Sequence, residues 1–357
     1  MLSNEILKNL LEPAEHVVSV YLPLDPEQRD TRLQQARLRT ALHDADAALE
    51  RRGLEPQRRA GLLASLEEAT GKLDLATHRD PALALFLSER GLQTMPLPQS
   101  LPYSVTAARH ANIKPLLPIL ARQRRFWLLA LSTGRARLFS VTPFDCQEIP
   151  LELEERDAPS MGAEGQAARE EGETTTVLTD EILRVGQAVK ARLGQDPAPL
   201  LLAAEPRVSG HFQKLAPLPN LLPEGLALNP FAFPPAELQK RALKAMQPLL
   251  ENEVQQLLEK IEARLGTAEP TVAIRLEEIL HAAEEGRIDA LAVAADEAVW
   301  GQFGQGTGLQ AHGSPRGPDE DLLNQAAVTA LRSGARAFAL PRERIPRRCA
   351  AAALLRY

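Results

Sequence analysis

The side-chain types that most often carry chemistry are spread thinly along this chain. Seven histidines are present, among them His110, His211, His281 and His312. None pairs with another at a metal-ligand spacing such as HxxxH, and His211, within VSGHFQKL, is expected to cap or pack. Cys146 and Cys349 lie far apart without CxxC spacing, which excludes a cysteine zinc site and a disulfide scaffold and fits a reducing compartment. The sequence therefore predicts no metal site and no cofactor.

No phosphate-binding loop or serine-hydrolase motif is present, since neither a Walker loop nor G-x-S-x-G occurs. The segment GQGTG contains Gly304, Gly306 and Gly308, but it does not run straight into a helix N-terminus, where phosphate binding would need it. We therefore expect the stretch GQGTGLQAHGSPRGP, residues 304–318, to be a flexible polar surface loop.

Arginine clusters are the remaining candidates for chemistry, as phosphate contacts. The net charge of −6 gives the whole molecule no positive field toward nucleic acid, so RNA binding would need local basic patches. Arg122, Arg124 and Arg125 precede an apolar strand and could hold RNA phosphates, or form a solvated helix end favoured by the helix dipole. A second group lies on a predicted helical hairpin and comprises Arg29, Arg32, Arg37, Arg39, Arg51, Arg52, Arg58 and Arg59. Surface ion pairs with Asp44, Asp46 and Glu50 are the alternative for this group.

The elements that must position these residues begin with an α/β unit of about 110 residues. VVSVYLPL, residues 17–24, is typical of a buried strand. Apolar residues at helical spacing predict two helices, over 29–52 and 57–73, joined by a turn. ALALFLS, residues 82–88, and residues 92–97 predict two more strands.

A second unit begins with a predicted strand–turn–strand hairpin, FWLLALS (126–132) and RARLFSV (135–141). Residues 152–175 then break all periodicity, are acidic and are rich in Gly and Ala. Loops of that length are usually functional or disordered. A helix over 177–193, a strand over 199–204 and a helix from Pro206 follow.

A proline-rich connector leads to the third unit, which opens with a long helix predicted over 236–265. Helices at 274–285 and 319–332 alternate with strands at 288–295 and 336–340 and with a terminal strand, CAAAALLRY. This alternation predicts sandwiched α/β layers in each unit. The chain is accordingly expected to form three small α/β domains, at 1–120, 121–227 and 228–357.

Export and membrane insertion are not expected. MLSNEILKNLLEPAEH lacks a basic region followed by a long apolar stretch, and no run reaches the roughly 18 apolar residues that a membrane span needs. The sequence therefore predicts a soluble cytoplasmic protein.

The C-terminal third carries the clearest resemblance to a known family. EEILHAAEEGRIDALAVAADEAVW and the closing AALLRY resemble the third domain of the archaeal and eukaryotic class I release factors and of Pelota. The middle unit, from FWLLALSTGRARLF through PLLLAAEP, resembles their second domain, and VVSVYLPL resembles the opening strand of their codon-reading domain. The chain is similar to the bacterial archaeo-eukaryotic release factor families. The resemblance implies three α/β domains in release-factor order, the last with the fold of kink-turn-binding ribosomal proteins.

The resemblance also singles out Gly165 and Gln166 within the 152–175 loop. The family's catalytic element is Gly-Gly-Gln, in which glycine permits unusual backbone conformations and glutamine places water against the ester that joins peptide to tRNA. Here Gly165 and Gln166 match the last two family residues, and Glu164 replaces the first. The loop is acidic, so electrostatics opposes docking into an RNA cavity. A chance Gly-Gln pair in an acidic loop is the alternative.

The implied function is that of a ribosome A-site factor, a monomer, acting in rescue or dormancy. The resemblance implies contact with ribosomal RNA, with peptidyl-tRNA in the catalytic alternative, and with a translational GTPase such as elongation factor Tu. The candidates for RNA or GTPase contact near the C-terminus are Arg342, Arg344, Arg347 and Arg348, with a solvated loop as the alternative. Asn112-Ile113-Lys114 imitates part of a stop-codon-reading motif outside its expected place, so stop-codon reading is not predicted. An off-ribosome protein-interaction role is a further alternative.

Overall fold

The computed structural model describes residues 4–24, 31–72, 80–121, 125–142, 145–152, 170–267, 271–304 and 308–357. The chain divides into two compact units, one formed by Met1–Ala121 with Asn252–Tyr357 and the other by Arg122–Glu251. Both units mix helices and sheets, which confirms the predicted α/β fold class. The finer division into domains at 1–120, 121–227 and 228–357, and the kink-turn-binding type of the last, stay predictions.

The amino-terminal part of the first unit is a sheet covered by two helices. Its elements are α1 (Asn4–Leu11), β1 (Val17–Pro23), α2 (Thr31–Arg51), α3 (Pro56–Lys72), β2 (Ala82–Ser88), β3 (Gly91–Leu97), β4 (Ser104–Ala108) and α4 (Leu117–Ala121). The strands are antiparallel in the order β3-β2-β1-β4. Alternate apolar residues of β1 and β2 pack with Leu38, Ala45, Leu49 and Leu66 of the two helices. The predicted helical hairpin is therefore held by the opening strand.

The second unit carries one five-stranded sheet with helices on both faces. Its elements are β5 (Phe126–Ser132), β6 (Arg135–Val141), β7 (Cys146–Ile149), α5 (Glu170–Leu193), β8 (Leu200–Ala204), α6 (Pro206–Leu215), β9 (Leu226–Ala227) and the start of α7 (Pro235–Gly266). The strand order is β7-β6-β5-β8-β9. One face, with Leu129 and Leu202, packs against α5 and α6. The other face, with Leu128 and Leu201, packs against α7.

The carboxyl-terminal part of the first unit contains a second α/β layer pair and a small three-stranded sheet. Its elements are β10 (Val272–Ala273), α8 (Leu276–Glu284), β11 (Ile288–Ala294), β12 (Trp300–Gly304), β13 (Gly308–His312), β14 (Glu320–Asp321), α9 (Leu322–Arg332), β15 (Arg336–Leu340) and β16 (Ala351–Leu355). The main sheet has the order β10-β16-β11-β15, in which β11 pairs parallel with β15 and antiparallel with β16. Its strands are almost fully buried and rich in alanine, which allows α8 and α9 to pack closely.

The segment 304–318 differs from the flexible loop that its composition predicts. Residues 308–312 form β13, which pairs with β12 from Trp300↔His312 to Gly304↔Gly308. A Cβ atom added at Gly301 would lie 2.0 Å from the carbonyl oxygen of Gln310, so glycine permits a close approach of the two backbones. Glycine thus permits strand pairing here, whereas the glycine content of the segment had predicted a flexible loop.

Candidate nucleic-acid interface

The loop that contains Gly165 and Gln166 is attached to one edge of the sheet in the second unit. β7 runs parallel to β5, because both pair antiparallel with β6, and it ends with Ile149 beside Leu138. Leu151 still packs against the core, and α5 begins at Glu170, so residues 170–175 of the predicted 152–175 loop are helical instead. Gly165, Gln166 and Glu164 themselves lie outside the described residues. The chain therefore leaves the sheet at the edge where β5 ends.

The crossover to β8 fixes the other side of this loop. β5 and β8 pair in parallel, from Trp127↔Leu200 to Ala130↔Ala203. A parallel pair needs a crossover, and α5 supplies it by returning the chain to the edge where both strands begin. The sheet therefore holds the chain before this segment, and α5, which packs on the core from Ile182 onward, holds it afterwards.

Arg125 lies at the opposite edge of this sheet, directly before β5. Its guanidinium forms an ion pair with Asp196 and lies 4.6 Å from the centre of the Trp127 ring. Burial acts to raise the pKa of Asp196, but the Ala198 amide, Arg125 and Trp127 outweigh it and hold that pKa below its ordinary value. Arg125 is therefore committed to local packing. Arg122 and Arg124 lie outside the described residues.

Arg51 and Arg52 end α2, and the structure gives them different environments. Arg51 is exposed, and its Nε donates to the carbonyl of Ala47 at 3.3 Å. Arg52 is partly buried and donates to the carbonyls of Pro318 at 3.1 Å and Asp319 at 3.4 Å. Burial lowers the pKa of Arg52. Arg52 thus holds the segment before β14, while Arg51 remains open to solvent.

Arg58 and Arg59 on α3 are both engaged in ion pairs. Arg58 donates to the two carboxylate oxygens of Glu15 at 3.3 and 3.0 Å. Arg59 is mostly buried and contacts Asp46 at 2.9 Å and Glu50 at 3.4 Å. These contacts match the ion-pair alternative for Arg59, and nucleic-acid binding by this hairpin stays a prediction.

The remaining arginines of the helical hairpin are Arg29, Arg32, Arg37 and Arg39. Arg29 and the side chain of Arg32 lie outside the described residues. Arg37 donates to the carbonyl of Pro23 at 3.1 Å, and Arg39 is exposed. Among the arginines of this group whose side chains the structure describes, Arg39 and Arg51 are exposed and without an ion pair.

Near the C-terminus, Arg342 organises the loop that carries three other arginines. It donates to both carboxylate oxygens of Glu297, at 2.6 and 2.8 Å, and to the carbonyl of Arg348 at 2.7 Å. Arg347 and Arg348 have φ values of 55° and 51°, in the left-handed region that residues with a side chain rarely adopt. Arg344 and Arg348 are exposed, and no described residue pairs with either guanidinium. This loop offers a fixed positive surface.

A buried polar junction in the first unit was not predicted from the sequence. Lys114 donates its Nζ to the carboxylate of Asp321 and to the carbonyl of Glu297. The Asn324 side chain accepts from the amides of Ile113 and Lys114. The segment Asn112-Ile113-Lys114, which imitates a stop-codon-reading motif, is therefore committed to packing.

Three side chains near the first strand have the spacing of a metal site. Ligand atoms of Glu15, His16 and Glu89 lie within 4.8 Å of one another. However, Arg58 already pairs with Glu15, and burial together with the charge of Arg52 lowers the pKa of His16. Two nearby arginines oppose a cation, so we interpret the group as an ion-pair cluster.

Among the described residues, no helix has both the length and the apolarity that crossing a membrane requires.

Comparison with known proteins places the middle of the chain in a recognisable family. Residues 125–287 match the model of bacterial archaeo-eukaryotic release factor family 3. A search of curated proteins finds no match. The matched residues contain the whole sheet of the second unit and the Gly165–Gln166 loop.

Several solved structures are similar at low identity. The archaeal translation termination factor aRF1 is 14% identical, with 99% of this chain and 96% of that chain covered and a TM-score of 0.25. Archaeoglobus fulgidus Pelota is 15% identical, with coverages of 77% and 79% and a TM-score of 0.32. An archaeal Pelota from a ribosome-bound assembly with ABCE1 is 13% identical, with coverages of 98% and 94% and a TM-score of 0.37.

The fold and the match together define the class of this protein. It is a mixed α/β protein, and residues 125–287, which include the whole sheet of the second unit, match the model of a release-factor family. The resemblance predicted from the sequence is therefore confirmed. Over residues 125–287 the chain is thus similar to the bacterial archaeo-eukaryotic release factors.

Proposed function

We propose that the protein binds the ribosomal A site in the cytoplasm, as a translation factor that acts in rescue or dormancy without reading stop codons. The observation that carries this proposal is the family match over residues 125–287. The match covers the loop with Gly165 and Gln166 and the strands and helix that anchor it. Co-sedimentation of the purified protein with 70S ribosomes tests it.

Hydrolysis of peptidyl-tRNA is the catalytic version of this function. The Gln166 carboxamide would hold a water molecule against the ester carbonyl. Water would add its oxygen to that carbon, and the ribose oxygen would leave with a proton, which gives free peptide and tRNA. Gly165 would permit the necessary backbone turn. This is catalysis by position and electrostatics, and the loop would need to enter an RNA cavity.

The charge of the loop favours binding without chemistry. Glu164 stands where the family has its first glycine, and its carboxylate is repelled by phosphates. Further acidic residues surround it at Glu154, Glu155, Asp157, Glu170, Glu171 and Glu173. Arg156 and Arg169 offset these only in part.

A peptide-release assay on 70S ribosomes loaded with peptidyl-tRNA separates the two versions. The binding version gives no release by the wild-type protein, and Gln166→Ala leaves ribosome binding unchanged. The hydrolase version gives release that Gln166→Ala lowers by roughly 10²-fold or more, the size of effect seen when one stabilising polar group is removed. Glu155→Gln, on the same acidic segment, serves as the control for altered charge.

A translational GTPase such as elongation factor Tu is the protein partner that this function implies. The open guanidiniums of Arg344 and Arg348, fixed by the contact of Arg342 with Glu297, support an acidic partner surface at this loop. Charge reversal at Arg344 and Arg348 would weaken such a complex, whereas charge reversal at exposed Arg39 would not. A role away from the ribosome is the alternative, and it predicts no ribosome binding at all.

A further inference from the structure

Two arginines of the second unit lie on phenylalanine rings that are two residues apart in sequence. The Arg135 guanidinium carbon is 4.4 Å from the centre of the Phe231 ring, and that of Arg241 is 4.3 Å from the Phe233 ring. The Cα atoms of Phe231 and Phe233 can be at most about 7 Å apart. We name the four residues the arginine–phenylalanine surface.

Stacking leaves most of the guanidinium donors on this surface free. Arg135 is exposed, and among the described residues it has no ion-pair partner. Arg241 donates its Nε to Glu237 at 3.0 Å, which leaves its terminal nitrogens available. A guanidinium that lies flat on a ring keeps its N–H groups pointing outward in the plane, where phosphate oxygens can accept them.

The local charge is positive although the protein is acidic as a whole. Lys244 is one helical turn after Arg241 on α7, is exposed, and has no hydrogen-bond or ion-pair partner in the described part of the chain. Glu237 is the acidic residue that the surface binds directly. Nearby Arg137 is neutralised by Glu148, with both guanidinium–carboxylate contacts formed.

The arginine–phenylalanine surface also lies at the edge of the sheet where β5 ends. Arg135 is the first residue of β6 and pairs with Ser132, the last residue of β5. This is the edge from which the chain leaves β7, beyond Ile149. Arg125 lies instead at the edge where β5 begins.

We infer that the arginine–phenylalanine surface binds the phosphate backbone of RNA. The inference rests on the proposed ribosomal function and names where the second unit would hold RNA. Planar guanidiniums held on aromatic rings match the oxygens of a phosphate, because each offers two parallel donors at a fixed angle. The predicted contact of Arg125 would lie at the other edge of the sheet.

The test compares ribosome binding by three variants over a series of salt concentrations. In Arg135→Gln/Arg241→Gln both charges are lost. In Arg135→Lys/Arg241→Lys the charges remain and the planar stacking is lost. Arg192→Gln is the matched control, because Arg192 is exposed on the last turn of α5 and precedes Asp196, which contacts Arg125 at the opposite edge. Thermal unfolding confirms that each variant folds.

The double glutamine variant should bind 70S ribosomes roughly tenfold or more weakly at low salt. The slope of log affinity against log salt should fall by about 1.5, since each lost phosphate contact removes roughly 0.7–0.9. The double lysine variant should lose affinity but keep most of the slope, and Arg192→Gln should match the wild type. Protein-free ribosomal RNA should give the same ranking.

Three results would overturn the inference. In the first, the wild type binds ribosomes, and the double glutamine variant binds with the same affinity and the same salt slope. That result would refute RNA binding by this surface and leave the proposed function standing. A defect on ribosomes with none on protein-free RNA would assign the surface to a protein. Absence of ribosome binding by the wild type would refute the proposed function, and this inference with it.

Discussion

Asn324 and Ile113 are 211 residues apart in sequence, and the Asn324 carboxamide oxygen accepts the backbone amide of Ile113 at 2.8 Å. The same oxygen accepts the Lys114 amide at 3.1 Å, and the Asn324 nitrogen donates to the carbonyl of Ala111 at 2.9 Å. One buried side chain thus forms hydrogen bonds with three backbone groups, which have no partner within a strand or helix. This contact joins the two sequence-distant parts of the first unit.

Asn324→Ala should destabilise the protein by about 2–4 kcal/mol, because it leaves two buried N–H groups and one carbonyl without partners. Urea unfolding followed by circular dichroism measures the change. Asn252→Ala is the matched control, since Asn252 is exposed on α7, and it should change stability by less than about 0.5 kcal/mol. Equal stability of the two variants would show that the junction does not hold the unit together.

Lys114 and Asp321 should be energetically coupled. Their side chains are 10% and 12% exposed and form an ion pair, and Asp321 also accepts the Leu323 amide at the start of α9. Lys114→Met should lower the free energy of unfolding by about 3–5 kcal/mol, because it leaves the buried Asp321 carboxylate without its cationic partner. In a double-mutant cycle, adding Asp321→Asn should cost less than the sum of the single changes by at least about 1 kcal/mol. Additive costs would contradict the pairing.

Acid should weaken the first unit through Asp319. Its side chain is fully buried, which acts to raise its pKa, but hydrogen bonds from His312, the Arg316 amide and Gln302 outweigh burial and hold the pKa below its ordinary value of 3.8. A carboxyl whose folded-state pKa is lowered stabilises the fold above its unfolded value, and that stability is lost as the pH falls through 3.8 toward the folded value.

Unfolding at pH 7 and at lower pH tests this for the wild type and for Asp319→Asn. The wild type should lose stability more steeply than Asp319→Asn as the pH falls below 3.8. Glu343→Gln is the control, because Glu343 is exposed and should leave the steepness unchanged. Parallel curves for wild type and Asp319→Asn would rule out the predicted linkage.

Gly301→Ala should disrupt the β12–β13 hairpin. The added Cβ would lie 2.0 Å from the Gln310 carbonyl oxygen, so the strands would have to separate. We expect a loss of about 2 kcal/mol or more, as for other overpacked sites. Gly61→Ala on α3 has open space around its Cβ and should be neutral or stabilising by up to about 1 kcal/mol. A harmless Gly301→Ala would contradict this strand register.

Apolar strands were predictable because a short continuous run of apolar residues indicates a buried strand. The predicted strands at 82–88, 126–132, 135–141 and 336–340 agree with β2, β5, β6 and β15. The edge strands β4 and β7 were not predicted, since SVTAA and CQEI are short, partly exposed and lack an apolar run. β12 and β13 were not predicted, because their glycines and polar residues interrupt the alternation of apolar and polar residues that indicates a strand.

The roles of the arginines were harder to predict because their partners are distant in sequence. Arg58 pairs with Glu15 across 43 residues, and Arg52 contacts Pro318 across 266. Local sequence shows only a positive cluster, whereas the fold shows which charges are already neutralised. Arg135 was missed for the same reason, since it stacks on Phe231, which lies far along the chain. Arg241 was missed although its partner Phe233 is near in sequence, because a proline-rich connector gives no sign of which way that ring points.

Sedimentation of the wild-type protein with purified 70S ribosomes through a sucrose cushion at low salt tests the central claim most directly. We predict that a large fraction of the protein pellets with the ribosomes, that none pellets alone, and that rising salt releases it. Protein that stays in the supernatant at the lowest salt, with or without ribosomes, would contradict a ribosomal function for this chain.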